Sequence, residues 1–293
     1  MRSNGWASVT GITLILRTEH QLRILEHMIA AGYIASFFIG LTLGLLGGGG
    51  SILTVPVLVY LFSIEPVLAT SYSLFIVGAT SLTGVITKIR HRQVEWMAAL
   101  VFGLPSLVMV FLTRKFILPA IPHVLFRIGG LEVTRPKFLL LLFAALMILA
   151  AFRMIREKKV HAGEDGEPAA PHDRIMLVVQ GAIVGLLAGL VGAGGGFLII
   201  PALVLFAGMT MKKAVGTSLL IIATNSLIGV LGDLEEHYHM DWPFLLTVTS
   251  IAVAGILIGN AMSHRFSSKS LKKAFGWLVL AMGIWILVKE TFF

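Results

Sequence analysis

Residues 43–56 of the chain read LGLLGGGGSILTVP, and this stretch is the most informative part of the sequence about the fold. Its four consecutive glycines lie between two long apolar runs, MIAAGYIASFFIGLTLGLL before them and ILTVPVLVYLF after them. A glycine run does not hold a helix, because each glycine costs about 1 kcal/mol relative to alanine. The stretch therefore predicts a break between two apolar helical segments.

The composition of the whole chain identifies its class. Of its 293 residues, 57% are hydrophobic and 13% are charged, whereas soluble domains carry roughly 25% charged residues. This excess indicates an integral membrane protein whose surroundings are the lipid bilayer. The net charge of +8 is then explained by loop Lys and Arg that face the anionic cytoplasmic leaflet, so nucleic acid is not expected as a partner. The chain has no cysteine, which excludes disulfides, thiol catalysis and Cys metal sites.

The pattern of apolar and polar segments divides the chain into four parts. We expect an N-terminal tail or surface helix at 1–26, a first membrane repeat at 27–152, a hydrophilic cytoplasmic linker at 153–174 and a second membrane repeat at 175–293. The linker reads RMIREKKVHAGEDGEPAAPHDR, and its charge, Gly and Pro content predicts disorder in its middle.

The two membrane parts repeat each other with a shift of 145 residues. GLTLGLLGGGGSILTVPVLVYLF (40–62) aligns with GLLAGLVGAGGGFLIIPALVLFA (185–207), and the register holds through 69–86 and 214–231. Between 40–86 and 185–231, 19 of 47 positions are identical. Shared Gly and Pro positions in one register indicate a duplicated unit, which generic hydrophobicity does not produce.

Each copy is expected to enter the membrane in the opposite direction to the other. One helix over 175–207 would be about 50 Å long, against a hydrocarbon core of about 30 Å, so a hairpin is expected there and each unit has an odd number of segments. The basic loop KIRHRQVE (88–95) aligns with the acidic loop DLEEHYHM (233–240), and the positive-inside rule then places 88–92 in the cytoplasm. The predicted fold is an all-α polytopic membrane protein of two inverted-topology repeats of about five helical segments, each opening with a Gly-rich broken helical hairpin.

The tips of the two hairpins are the first part of a predicted anion site. Inside a bilayer, broken backbone survives only where protein or a water-filled cavity satisfies its N–H and C=O groups. The segments after the glycines are expected to begin at Ser51 and Gly196, so that their free N–H groups and positive dipole ends point at the tips. The alternative is that these glycines only permit tight helix packing. The candidate residues at the tips are Gly49, Gly50, Ser51, Gly194, Gly195 and Gly196.

A polar stripe on the next segment of each repeat is the second part. Ser73 and Thr80, like Ser218 and Asn225, are seven residues apart, which places each pair on one helix face. Hydroxyls in such helices also cap their own backbone or join helices, and that alternative stays open. An amide in the bilayer is costly without partners, so Asn225 is the foremost candidate. The substrate-binding candidates of the stripe are Ser71, Tyr72, Ser73, Thr80, Thr217, Ser218 and Asn225.

Other chemistry is not indicated. The apolar spans hold no central carboxylate or histidine that would serve a proton relay or act as a catalytic base, so no catalytic residue and no cofactor is expected. The segment DLEEHYHMDW (233–242) groups acids and histidines that could hold a metal, but a solvated acidic loop is the simpler interpretation, and no metal site is predicted.

The doubled motif resembles the TauE/SafE family of sulfite and organosulfonate exporters. The residues that carry the resemblance are GLLGGGGSILTVP with ATSYS, and GLVGAGGGFLIIP with AVGTS. The resemblance implies a multi-pass protein of the bacterial plasma (inner) membrane, without an ATPase domain, that exports small organic or inorganic sulfur-containing anions such as sulfite or sulfoacetate. An importer or a metal-cation permease is the alternative function. A homo-oligomer is compatible with the sequence, and the insertion 114–136 has no counterpart in the second half.

Overall fold

The computed structural model describes residues 6–128, 131–156, 171–192, 194–233, 240–263 and 268–292. Within them the chain is helical apart from one small hairpin. The elements are α1 (Trp6–Leu46), a 3₁₀ helix (Gly48–Leu53), α2 (Thr54–Tyr60), α3 (Pro66–Arg90), α4 (Trp96–Leu112), a π turn (Thr113–Ile117), α5 (Leu118–Ala120), β1 (Val124–Ile128), β2 (Leu131–Thr134), α6 (Arg135–Arg156), α7 (Pro171–Val191), α8 (Gly196–Phe206), α9 (Met211–Asp233), α10 (Trp242–Met262) and α11 (Ser268–Phe292).

Within these ranges, six helices are long and apolar enough to cross a membrane. Two shorter apolar helices, Gly50–Tyr60 and Ile175–Val191, accompany them. Large apolar side chains such as Ile34, Leu104 and Trp277 are more than half exposed on the outer surface, where only lipid can cover them favourably. The predicted class, an all-α polytopic membrane protein, is confirmed. The six spans are Glu26–Leu46, Pro66–Arg90, Trp96–Ala120, Arg135–Phe152, Met211–Asp233 and Trp242–Met262.

The predicted boundaries of the parts stay predictions, but three observations bear on them. Helix α1 begins at Trp6 and runs through the expected tail into the first span. Both ends of the expected linker are helical, since α6 continues to Arg156 and α7 starts at Pro171. The middle of the linker, 157–170, lies outside the described residues.

A two-stranded hairpin lies in the insertion to which the sequence analysis assigned no role. Strand β1 pairs antiparallel with β2, with Val124 opposite Thr134 and Ile128 opposite Leu131. The two residues between the strands are Gly129 and Gly130 in the sequence. A Gly–Gly pair between β-branched runs is a known signal for a two-residue hairpin loop, so the all-α prediction overlooked an available signal here.

The central helices of the two halves, α3 and α9, run antiparallel against each other. Gly78 of α3 faces Ser226 and Leu227 of α9, while Leu74, four residues earlier in α3, contacts Gly229, later in α9. These two helices are equivalent under the 145-residue shift. Equivalent helices of opposite direction are what inverted copies require, and the orientation of the halves in a bilayer stays a prediction.

The first helix of each half packs against a helix of the other half. Helix α1 runs parallel to α10, with Gly40 against the backbone of Ala252 and Gly44 against that of Ile256. Helix α7, the equivalent of α1, runs parallel to α4, the equivalent of α10. The contacts of α7 with α4 follow the same order, Gly181 against Phe102 and then Gly185 against Ser106. Glycine at each contact lets two backbones approach closely, which is how helices associate in membranes.

Both glycine-rich regions break the helix as predicted. Gly47 and Gly192, equivalent positions, have φ of 73° and 74°, a conformation that glycine adopts without cost. The chain then differs between the halves. Helix α8 begins at Gly196 as expected. In the first half the segment after the break starts with the 3₁₀ helix Gly48–Leu53, which contains Ser51, and regular α-helix follows from Thr54. Gly50 of this 3₁₀ helix lies directly against the backbone of α1.

Candidate substrate-binding site

The two broken tips meet at the centre of the protein. Gly48 and Gly196 are in backbone contact, and a Cβ atom added to Gly196 would lie 2.5 Å from the Cα atom of Gly48. Gly47 lies against α9 where a Cβ atom would be 3.3 Å from Ser218 Oγ, and Gly194 lies against Ser226 in the same way at 2.5 Å. The tips and the polar face of α9 therefore form one buried region.

The helix-dipole argument applies to one tip only. Helix α8 has eleven residues, and it starts directly after Gly194 and Gly195, which have φ of 63° and 71°. Helix α2 has seven residues and follows the 3₁₀ helix that contains Gly49, Gly50 and Ser51, and Ser51 Oγ donates to Gly48 O at 2.8 Å. A macrodipole of this short helix carries little weight. The first tip therefore contributes shape and backbone rather than a dipole.

Four of the six hydroxyl residues of the stripe already have hydrogen-bond partners. Ser218 Oγ donates to Val215 O at 2.9 Å, which is a bond within its own helix. Thr217 Oγ1 accepts from Glu95 N at 2.9 Å, and the equivalent Tyr72 hydroxyl accepts from Asp241 N at 2.7 Å. These last two bonds attach the first turns of α4 and α10 to α9 and α3. Ser71, the fourth, accepts from an arginine described below.

The remaining hydroxyls are buried without partners. Ser73 and Thr80, two of the predicted residues, have no hydrogen-bond partner among the described residues, and the same holds for Ser81 and Ser226. All four are fully buried. Thr80 and Ser81 follow Gly78 within one turn, and Gly78 is where α3 meets Ser226. A buried polar group without a partner costs about 1–3 kcal/mol, so a group of them calls for a ligand or water.

Asn225 is half-satisfied. Its Nδ2 atom donates to Ser106 Oγ of α4 at 2.6 Å, while its Oδ1 atom has no partner within the described part of the chain. A serine hydroxyl donates as readily as it accepts. A half-turn of the amide would therefore keep the bond to Ser106 and present two N–H donors instead of the oxygen. Asn225 joins α9 to α4 and still has hydrogen-bonding capacity for a ligand.

A buried arginine is the main residue that the sequence analysis missed. Arg114 is 1% exposed, and its Nη1 atom donates to Asp233 Oδ2 at 3.1 Å, Thr70 Oγ1 at 3.0 Å and Ser71 Oγ at 3.4 Å. Its Nε and Nη2 atoms have no hydrogen-bond partner in the described ranges. The sequence analysis placed Arg114 at the start of the insertion 114–136 and did not include it among the candidate site residues. The signal was its position between the apolar runs VMVFL and FILPA, which predicts a helix rather than a loop.

The opposite end of the α3–α9 pair has a different arrangement. Lys88 occupies the position equivalent to Asp233, is 7% exposed, and lines an open cavity of about 300 Å³. The other residues that line this cavity are Thr87, His91, Gln93, Leu257, Asn260 and Ala261.

The metal-binding alternative has no geometric support within the described residues. They contain no group of three or more His, Asp or Glu that could hold a metal ion. Most of the acidic segment that raised this alternative, 234–239, lies outside them.

Comparison with known proteins gives a consistent result. A family model described as "Sulfite exporter TauE/SafE" matches residues 32–286. A probable membrane transporter protein of Xylella fastidiosa (strain 9a5c) is 30% identical over 85% of this chain and 91% of its own length. The probable membrane transporter protein YunE of Bacillus subtilis is 26% identical over 88% of this chain and 99% of its own. The probable membrane transporter protein MJ0441 of Methanocaldococcus jannaschii is 23% identical over 94% of this chain and 100% of its own length. No solved structure matches.

Proposed function

The chain belongs to the sulfite exporter TauE/SafE family and is a membrane transporter, and we propose that it exports a small sulfur-containing anion. The anion is sulfite or an organosulfonate such as sulfoacetate, and the protein acts as a secondary transporter of the bacterial plasma membrane. Export proceeds by alternating access between two inverted repeats.

The observation that carries the proposal is a set of four buried hydroxyls without partners among the described residues, one of which, Ser226, lies against Gly194 of the second tip. Ser73, Thr80, Ser81 and Ser226 each offer one O–H donor. Sulfite and sulfonates present acceptor oxygens, so donors of this kind match them. Hydroxyls bind an anion without a fixed counter-charge, which favours a site from which the anion can leave again.

Alternating access is supported by the way in which the helices pair. Equivalent helices α3 and α9 run antiparallel, and each half packs its first helix against the other half, α1 on α10 and α7 on α4. If the two halves exchanged their conformations, the two ends of the protein would open in turn. In the present structure the ends differ, since Arg114 and Asp233 form an ion pair at one end and the cavity at Lys88 opens at the other.

The driving force for export needs no further device. A membrane potential of about 100 mV, negative inside, favours the exit of each negative charge by about 2.3 kcal/mol, and a dianion gains about twice that. We therefore expect uncoupled, electrogenic efflux. An importer would carry anions against this potential, and a metal-cation permease would move positive charge in the opposite direction.

Flux from proteoliposomes under an imposed potassium diffusion potential tests the proposal. Sulfite, sulfoacetate, isethionate and sulfate are loaded in turn, and efflux is measured at both signs of the potential. We expect efflux of at least one sulfur oxyanion that rises when the inside is negative. Flux that does not respond to potential, or flux of divalent metal cations instead, would show the proposal to be wrong.

Matched serine variants test the site. Ser73→Ala and Ser226→Ala each remove an unpartnered hydroxyl, whereas the control Ser36→Ala removes a buried hydroxyl that donates to Gly32 O of its own helix. A hydrogen bond to a charged ligand contributes about 1.5–3 kcal/mol, so each site variant should bind the anion about ten- to a hundredfold more weakly, with folding unimpaired. Equal transport by all three variants would place the site elsewhere.

A further inference from the structure

The cavity at the C-terminal end of α3 contains a buried cation with no partner of opposite charge. Lys88 is 7% exposed, and within the described residues its ammonium group forms neither an ion pair nor a hydrogen bond. A buried charge is costly unless it is paired. The cavity beside it has a volume of about 300 Å³, the lower end of the range for small-molecule sites.

The groups around Lys88 favour an anion. Among the described residues that line the cavity there is no carboxylate, and His91, Gln93 and Thr87 supply polar side chains. Asn260 Nδ2 donates to the backbone of α3 at Gly84, which leaves its Oδ1 atom unpartnered. An ammonium group has three donors, so a contact with that oxygen would leave two for an anion.

The surrounding loop adds to this positive character. Arg90, the last residue of α3, and Arg92, just after the helix, are both exposed. The carboxylate of the loop, Glu95, is already paired with Lys213 at 3.1 Å. The local field therefore attracts anions from the solution on that side.

We propose that this cavity is a binding site for a small oxyanion, with Lys88 as its counter-charge. This assignment rests on the proposed function. The cavity would be the first site that a sulfite or sulfonate meets on the cytoplasmic side. Lys88 lies at the end of α3, on the same helix as Ser73 and Thr80. An anion that leaves Lys88 would move along this helix towards Ser73 and Thr80.

A cysteine in the cavity tests the site without relying on transport. The chain is free of cysteine, and Ala261 lines the cavity. Ala261→Cys is purified in phosphatidylcholine nanodiscs and is modified with two thiosulfonate reagents of equal size class. One is the anionic 2-sulfonatoethyl methanethiosulfonate, itself a sulfonate, and the other is the cationic trimethylammonioethyl analogue. The quantity measured is the ratio of their two rate constants.

The expected result is a preference for the anionic reagent that depends on Lys88. Lys88→Met should lower the ratio of the anionic to the cationic rate constant by about tenfold. One positive charge at about 10 Å speeds the anionic reagent and slows the cationic one, and the two effects multiply in the ratio. Lys88→Arg should retain the preference. The control Lys213→Met removes the same charge from the exposed pair with Glu95 and should lower the ratio far less than Lys88→Met does, because solvent screens exposed charges. Methanesulfonate should slow modification when Lys88 is present and not in Lys88→Met.

Three outcomes would overturn the proposal. The first is a rate ratio that is the same with and without Lys88, and the second is modification that methanesulfonate does not slow. The third is protection by phosphatidylglycerol but not by methanesulfonate, which would make the occupant a lipid headgroup. Flux measured on the same preparations separates this result from the proposed function. Flux without Lys88-dependent protection refutes the site alone, whereas Lys88-dependent protection without flux supports the site and refutes transport.

Discussion

Removing one member of the buried Arg114–Asp233 pair should destabilise the protein far more than removing both. Arg114 and Asp233 are 0% and 4% exposed at their side chains, and Nη1 and Oδ2 are 3.1 Å apart. In Asp233→Asn the guanidinium group keeps its hydrogen bonds to the hydroxyls of Thr70 and Ser71 but loses the carboxylate that neutralises it. A buried charge that loses its counter-charge costs about 3–5 kcal/mol.

The magnitude follows from what each variant leaves behind. Asp233→Asn leaves a buried cation and should cost about 3–5 kcal/mol, and Arg114→Met takes the guanidinium group away from a buried carboxylate and should also be destabilising. The double variant leaves neither charge and loses the bonds to Thr70 and Ser71, which contribute about 1 kcal/mol each. The coupling energy between Arg114 and Asp233 should therefore exceed about 2 kcal/mol, well above the ~0.5 kcal/mol within which independent sites add.

The exposed pair Lys213–Glu95 is a matched control, because its nitrogen–oxygen distance is also 3.1 Å while its side chains are 52% and 43% exposed. The same double-mutant cycle there should give at most about 1 kcal/mol. Unfolding of the purified variants by sodium dodecyl sulfate in mixed micelles, followed by tryptophan fluorescence, gives the free energies. Equal coupling in the two cycles, or single variants at Arg114 and Asp233 that cost less than about 1 kcal/mol, would refute the argument from burial.

Three further predictions test the tips, the amide and the topology. Gly48→Ala should abolish transport and lower stability by about 1–3 kcal/mol, because its methyl group meets the backbone of the other tip, whereas Gly103→Ala meets only an Ile side chain at 3.3 Å and should be tolerated in the same flux and unfolding assays. Asn225→Ala should weaken anion binding by about ten- to a hundredfold and Asn225→Asp by more, and wild-type flux from Asn225→Asp at matched expression would make the residue a structural link only. Glu65→Cys and Thr210→Cys occupy equivalent exposed loops, so an impermeant thiol reagent on intact cells should label Glu65→Cys alone, and labelling of both would exclude inverted repeats.

The parts of the fold that sequence predicts are those set by backbone chemistry. Gly47 and Gly192 were predicted to break their helices, and both have φ above 70°. Membrane segments were predicted from their length and apolar content, which the structure bears out. These features depend on local physics, because a glycine run destabilises a helix whatever surrounds it.

The parts that sequence does not predict depend on contacts between distant elements. Ser73 and Ser218 are equivalent serines on equivalent helices, yet Ser218 bonds to its own backbone and Ser73 has no partner in the described part of the chain. Nothing in either local sequence separates them. Arg114 is similar, since a π turn at Thr113–Ile117 and the arrival of Asp233 from 119 residues away make it a buried group.

The two ends of the α3–α9 pair show how a duplicated fold can carry unequal chemistry. Gly259 and Thr113 pack against equivalent glycines of α1 and α7, so the residues that follow them, Asn260 and Arg114, occupy equivalent places. One end thus combines Lys88 with an amide, and the other combines Asp233 with Arg114. The first combination leaves a net positive charge beside an open cavity, whereas the second is a buried ion pair.

This inequality fits a protein that captures an anion on one side and releases it on the other. At the end with Lys88, the described residues that line the cavity offer no carboxylate that an arriving anion would have to displace. At the end with Arg114, Asp233 would compete with the anion for the guanidinium group, so under the proposed function the anion would be held less tightly there once that end opened. The membrane potential still determines the direction of net flux, because unequal affinities at two faces alter occupancy and rates but not the equilibrium between the two solutions. Under the proposed function, the charge reversal between Lys88 and Asp233 would therefore affect the rate of export, and the antiparallel pairing of the equivalent helices α3 and α9 is compatible with the two states that alternating access requires.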